Sequence, residues 1–321
     1  MFLFALVAAA SVRARAPSAV GASLAASRMP ALRARLAMVV EPELEGIEVF
    51  SVEDGEPRRA ANLVGPELLS KAHVTAFLTH FADFNAWEYA QRLKAAEQDL
   101  LRMGVELTVI GIGSPASGRK FAELLDFPTE RLFADPTGAC HRALGFTPGA
   151  FPDSQLPPQA KLLAMIAGVG SPGTIEAVIR GYLGDPTGNA DWIAKALAQG
   201  AQQGRFPADL SASAFDPVGR AGVRPFELAT LRLQNMVQGI LQNWEALAPA
   251  DPSLFIQQGG TLVYDWKGEL IYRYADEGVL VYTPADEMLA AIGEAVGVSA
   301  EEEFAAASTG GAARAVSQQA N

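Results

Sequence analysis

The chain has one cysteine, Cys140, among 321 residues. A single thiol cannot close a disulfide within the chain, and it excludes zinc and iron–sulfur sites built on several cysteines. Histidine is nearly as scarce. His73, His80 and His141 are the only three, and none is spaced as a metal-ligand pair such as HxxxH. No metal and no cofactor is expected. No run of twenty apolar residues suggests a membrane span, and no tandem repeat is visible. Acid is missing from one region. Residues 1–40 hold five arginines (Arg13, Arg15, Arg28, Arg33, Arg35) and no aspartate or glutamate, so the remainder carries 20 basic against 36 acidic side chains, a net of −16. A body that acidic repels nucleic acid and anionic lipid, and neither is expected as a partner.

The first thing present is a leader. "MFLFALVAAASV" is a short apolar run, and the rest of the first forty residues is rich in Arg, Ser and Ala. The first pattern reads as a secretory h-region, the second as an organelle transit peptide. In series they suit passage through the secretory system followed by plastid import, as in algae whose plastids have extra membranes. A plain plastid or mitochondrial presequence is the simpler alternative. Residues 1–40 are therefore expected to be a targeting presequence, with the mature protein in the plastid stroma and the mitochondrion as the alternative. Residues 300–321 are polar and rich in small residues, which predicts a disordered tail.

Between these ends, residues 41–299 read as one domain. "GIEVFSV", "HVTAFLTHF", "VELTVIGIG" and "RLFADP" are strand patterns, the second almost continuously apolar, as a buried central strand should be. Among them lie "GPELLSK", with Pro66 at a helix start, and "NAWEYAQRLKAAEQDLLRMG", with Gly104 as its stop. "SGRKFAELLDF" and "TGACHRALGF" are further helices. Strands and helices of these lengths make βαβ units and a parallel sheet. The alternation breaks at about 147–225, with Pro148, Pro152, Pro157 and Pro158 and the helical runs "QAKLLAMIAGV" and "SPGTIEAVIRGYLGD". That stretch is too long for a connection and predicts an inserted helical subdomain. "FELATLRLQNMVQGILQNW" is a long helix, "GGTLVYDWKGELIYRYAD" a hairpin turning at Lys267-Gly268, and "DEMLAAIGEAVG" a closing helix. The expected class is α/β: a thioredoxin-like three-layer fold with a central mixed sheet and an inserted helical subdomain.

Five segments carry a resemblance: "FLTHFADFNAWEYAQRL", "ELTVIGIGSPASGRKFAELLDFPTERLFADP", "GVGSPGTIEAVIRGYLGD", "RPFELATLRLQNM" and "QQGGTLVYDWKGELIY". From about residue 60 to 285 the chain resembles the peroxiredoxin-like proteins of the AhpC/TSA (thiol-specific antioxidant) group, in the branch common in cyanobacteria and plastids. The resemblance implies a thioredoxin-like fold and, in active members, thiol-based reduction of peroxide or disulfide. Those members carry Phe-Gly-Cys-x-x-Cys ahead of the helix. This chain reads Phe81, Ala82, Asp83, Phe84, Asn85, Ala86, so Asp83 and Ala86 stand where the two cysteines would be. The Pro and Thr or Ser ahead of a peroxidatic cysteine are also missing, and Thr79 and His80 do not fill that signature. A carboxylate cannot pass through the thiolate-to-sulfenic-acid cycle. Asp83 is left as a general base or a helix cap. Asn85 and Glu88 have the N-cap to N3 spacing of a capping box, and capping is the preferred reading for all three.

Cys140 is the one candidate nucleophile, in "ADPTGACHRALGF" beside His141 and Arg142. Its helical spacing to Leu144 puts it on an apolar face, and a packed structural cysteine is preferred. "GIGSPASG" lacks the GxGxxG spacing and reads as a turn capped by Ser114 or Ser117. Gly259-Gly260 occupy the place where thioredoxins carry a cis-proline facing the substrate. Phe84, Asn85, Trp87, Gly260 and Thr261 are the candidate lining of a sheet-edge groove, and Arg180 is a candidate binding residue on the insertion. Two functions stay open. One is a non-thiol binding, scaffold or regulatory protein that holds a plastid protein or a small molecule in that groove or on the insertion. The other is an antioxidant oxidoreductase using Cys140 with thioredoxin or glutathione as external thiol. Exposure of Cys140 beside the start of the 85–103 helix separates them.

Overall fold

The computed structural model describes residues 41–65, 70–183, 191–205 and 225–297. The expected presequence and tail, most of the "GPELLSK" helix, and residues 184–190 and 206–224 of the expected insertion lie outside them. Seven strands form one sheet: β1 (Glu48–Ser51), β2 (Pro57–Arg59), β3 (Ala72–His80), β4 (Val105–Ile112), β5 (Leu132–Asp135), β6 (Gly260–Asp265) and β7 (Leu270–Ala275). Their order is β2-β1-β5-β4-β3-β6-β7. β3, β4 and β5 are parallel, while β1 and β2 at one side and β6 and β7 at the other pair antiparallel. Parallel neighbours need a crossover. Helix α1 (Phe84–Met103) supplies it between β3 and β4, and α2 (Pro115–Leu125) between β4 and β5. The mixed sheet and its helices make the α/β, thioredoxin-like class expected above.

Side-chain alternation divides the core into two layers. Val74, Ala76 and Leu78 of β3, with Val109 and Val263, face the cluster that contains α1, α2 and helix α9 (Ala285–Val296). Phe77, Ile110, Leu262 and Tyr264 point the other way. There they meet the short helix α3 (Ala139–Ala143) and the segments Pro42–Leu44 and Ala60–Leu63. Local chemistry sets the element ends. Gly104 closes α1 in the left-handed conformation, its N–H donating to Leu100 O. Ser114 starts α2 by accepting from the Ser117 N–H at 3.0 Å. The hairpin turns on the Asp265 carboxylate, which accepts from the Lys267 and Glu269 N–H groups.

Helices α4 (Pro158–Ile166), α5 (Thr174–Leu183) and α6 (Asp191–Gln202) occupy the insertion, and α7 (Pro225–Gln242) and α8 (Trp244–Leu247) follow it. α4 packs on the turn Pro252–Ile256, α5 and α6 pack on α7, and α6 and α7 both reach α1. The insertion and α7 therefore stand over the helix whose N-terminus is the site of interest.

Candidate functional site

β3 runs out at His80, and after Phe81 and Ala82 the chain reaches the N-cap of α1. Asp83 is the N-cap: its backbone is extended (φ −107, ψ 148) and its carboxylate accepts from the Asn85 N–H at 3.1 Å. The first helical residue is Phe84, half-buried where the main core meets a small cluster around Ala150 and Met165. Ala86 is fully buried. The two positions that hold cysteines in thiol members are thus occupied by a capping carboxylate and a methyl group inside the core.

Asn85 and Glu88 do not form a capping box. The Asn85 amide bridges to the loop after β7, donating to Gly278 O at 2.9 Å and accepting from the Leu280 N–H at 2.5 Å. Glu88, one turn further, accepts from the Tyr282 hydroxyl at 2.5 Å and meets Arg232 of α7 at 3.2 Å. Burial, then the Glu88 charge, pushes the Tyr282 phenol well up, so it remains the donor. Arg92, one turn on from Glu88, lies over Trp192 at 4.9 Å. Both expected caps instead tie α1 to distant parts of the chain, and Asp83 does the capping alone.

The sheet-edge groove expected from Trp87, Gly260 and Thr261 is filled. β6 is not an edge strand, since it pairs with β3 on one side and β7 on the other. A Cβ on Gly260 would stand 2.4 Å from the Phe146 ring and 2.4 Å from Tyr274 O. Glycine is there to let core groups close, not to admit a ligand. Thr261 is fully buried, in contact with the Tyr89 hydroxyl at 2.6 Å and the Thr283 hydroxyl at 2.7 Å. Burial pushes the Tyr89 phenol up. Trp87 is fully buried too: its indole N–H donates to Phe81 O at 2.8 Å, and Arg205 lies 5.2 Å over the ring. Arg180 is elsewhere. It sits exposed on α5, paired with Glu176 at 2.7 Å, and is not brought to the start of α1.

Cys140 belongs to the opposite side of the sheet. It is fully buried with Phe77, Ile110, Leu144 and Phe146. Burial, then the negative charge of Asp135, pushes the thiol well up, away from the thiolate form. Its sequence neighbours do not help. The His141 Nε2–H donates to Leu78 O at 2.8 Å, burial holds that imidazole neutral, and Arg142 reaches Thr137 O at 2.7 Å. Burial alone would raise Asp135, but hydrogen bonds from the Cys140 N–H and from the Thr137 N–H and hydroxyl outweigh it and hold the carboxyl below its ordinary value. The local electrostatics serve a carboxylate, not a sulfur anion.

Sequence reasoning missed two groups beside Asp83. His80 is buried against Phe255 (5.6 Å between ring centroids) and Trp244 (6.2 Å), with neither ring nitrogen hydrogen-bonded. Desolvation lowers its pKa from 6.5, opposed only in part by the Asp83 charge. Asp276, just past β7, is also buried, and its N–H donates to Gly259 O at 3.0 Å. Desolvation first, then the nearby Asp83 charge, raises the Asp276 carboxyl well above 3.8. In the sequence nothing points to Asp276. Only the β6–β7 hairpin carries that end of the chain back to α1, as it carries Gly278 to Asn85 across 193 residues.

A pH dependence follows. Asp276 is raised in the folded state, so its contribution to stability is complete below about pH 3.8 and is lost as pH rises toward its folded-state value. Asp276→Asn leaves the backbone bond to Gly259 O in place and has no charge to desolvate. It is expected to raise the melting temperature by several degrees at pH 8 and by almost nothing at pH 4. Thermal unfolding at the two pH values checks this; an equal effect at both contradicts it.

Among the described residues, no group of three or more His, Cys, Asp or Glu could hold a metal ion, and no helix is long and apolar enough to cross a membrane. Residues 92–278, more than half of the chain, match a family model described as AhpC/TSA antioxidant enzyme. The match begins inside α1, C-terminal to Asp83 and Ala86. No curated protein matches the chain.

Proposed function

The chain belongs to the AhpC/TSA antioxidant enzyme family, and from that premise we propose that it is a non-thiol member: a binding, scaffold or regulatory protein and not a peroxide reductase. One observation carries the reading. The start of α1 holds a capping aspartate and a buried alanine, while the sole thiol lies buried and protonated across the sheet. A peroxidatic residue must present a thiolate to the O–O bond and then give up its sulfenic acid to a second thiol. Neither step has a group to perform it at the start of α1, and neither can reach Cys140. Because the region of Asp83, Trp87 and Gly260 is closed, a plastid protein or small molecule would engage the outer surface. Thioredoxin and glutathione would be partners only of an enzyme. The arginine-rich, acid-free first forty residues support a plastid location, stromal after their removal, with the mitochondrion as alternative.

The test is peroxide consumption by the full chain with a thioredoxin or glutathione reducing system, beside Cys140→Ser. No turnover by either protein is expected. Turnover by the native chain that disappears in Cys140→Ser would establish a one-cysteine peroxidase and overturn the proposal.

A further inference from the structure

Three helices meet over the face of α1 that turns away from the sheet. α6 packs on both α1 and α7, and α7 packs on α1. A seam between buried helix faces is ordinarily apolar, but this one is polar. Glu88 and Gln91 stand three apart on one face of α1. Arg232 comes from α7 and Trp192 from α6, and Tyr282 closes the end beside Glu88. Glu88, Gln91 and Arg232 are each more than nine-tenths buried. Their hydrogen bonding is one-sided. Glu88 Oε1 accepts from Tyr282 at 2.5 Å, meets Arg232 Nη1 at 3.2 Å and lies 4.0 Å from Arg92. Glu88 Oε2 has no hydrogen-bond partner in the chain, nor do Arg232 Nε and the two amide atoms of Gln91. Buried polar atoms are nearly always paired, because one left unmatched costs its full desolvation. Such a group of orphaned atoms on neighbouring side chains points to a polar molecule held between the helices, a common place for a ligand.

We propose that the α1–α6–α7 seam binds a small zwitterion, an α-amino acid, with its ammonium on Glu88 Oε2 and its carboxylate between Arg232 Nε and the Gln91 amide nitrogen. The orphaned atoms select this chemistry. Glu88 Oε2 is an anionic acceptor and requires a donor, while Arg232 Nε and Gln91 Nε2 are donors and require an acceptor. Hydrogen bonds with charge on both sides are the strong ones, and a zwitterion makes one at each end. Net charge narrows the class further. Glu88 and Arg232 already balance each other, and a low dielectric enlarges any repulsion. A lone anion would meet the Glu88 charge and a lone cation the Arg232 charge. A molecule carrying both leaves the pair balanced. Arg92 marks the way in: its side chain is 32% exposed and lies over Trp192 at 4.9 Å and Tyr282 at 5.4 Å, at the outer surface of the seam. The proposal rests on the binding reading above and gives it a ligand.

Thermal unfolding of the full chain with each standard α-amino acid at millimolar concentration tests this, with calorimetric titration of those that raise the melting temperature. A ligand of the folded state raises it by mass action. At least one α-amino acid is expected to do so, while acetate, methylammonium and glycerol at the same concentration are not. Gln91→Leu removes the orphaned amide at nearly constant volume. It should keep the native circular dichroism, melt no lower than the native chain without ligand, and lose roughly tenfold or more in affinity. Gln91→Met, unbranched like glutamine, should match it. The proposal is overturned if no α-amino acid binds, if acetate, methylammonium or glycerol binds as well, or if both Gln91 variants bind as tightly as the native chain. Peroxide turnover is read separately, through Cys140 across the sheet. Turnover lost in Cys140→Ser would overturn the binding reading, whereas absent binding without turnover overturns this site alone.

Discussion

Trp87→Ala is expected to remove about 3–5 kcal/mol of stability, the usual cost of deleting a buried Trp or Phe. Three losses coincide at this residue. The indole is fully buried and packs edge-on to Phe121 at 6.3 Å, so its removal opens a cavity under α2. Its N–H is the donor to Phe81 O at 2.8 Å, and that buried carbonyl would lose its partner. Finally, α7 is seated on the ring: a Cβ at Gly239 would stand 2.4 Å from it. Against a total of about 5–15 kcal/mol for a typical domain, such a loss removes much of the folded population under mild denaturant. Guanidinium unfolding measures it. A loss below about 1 kcal/mol would instead mean that Trp87 lines an accessible surface.

Glu88→Ala should be about as damaging, at about 3–5 kcal/mol, for an electrostatic reason. The Glu88 carboxylate is buried, meets Arg232 at 3.2 Å and Arg92 at 4.0 Å, and accepts from Tyr282. Removing it strands the Arg232 guanidinium, only 10% exposed, in a low-dielectric site. The attraction within the pair is largely offset by the cost of burying both charges, so the penalty lies in breaking one side. Glu88→Leu combined with Arg232→Met should therefore recover most of the loss. Urea unfolding of the single and double variants decides the matter. A double variant as unstable as the sum of its parts would show no coupling between the two side chains and contradict this account.

The sheet was legible in the sequence where burial imposed a pattern. β3, β4 and β6 are buried along nearly their whole length, and their apolar runs show it. β2 was not legible. Its three side chains, Pro57, Arg58 and Arg59, are all exposed, and its backbone pairing to β1 leaves no hydrophobic signature. α6 lies inside the expected helical insertion, but the Pro186 and Gly188 ahead of it leave its start without a clear helix signal in the sequence. At the site, the loss of both cysteines and the Asp83 cap were readable because they depend on neighbours in sequence. The roles of Asn85 and Glu88 were not. Their spacing satisfies the capping-box rule, but Gly278, Leu280, Tyr282 and Arg232 offered long-range partners that no local spacing encodes. The supposed groove failed for the same reason: only the placement of β7 beside β6, and of α7 over Trp87, closes it.

The central claim is that the one thiol of this chain, Cys140, does no redox chemistry while the protein is folded. The most direct measurement is the fate of Cys140 when the native full chain is held in excess hydrogen peroxide with a sulfenic-acid trap and analysed by mass spectrometry. The account predicts an unmodified thiol in the folded protein that becomes reactive only after unfolding in guanidinium. Rapid, stoichiometric trapping of a Cys140 sulfenic acid in the folded protein would contradict it.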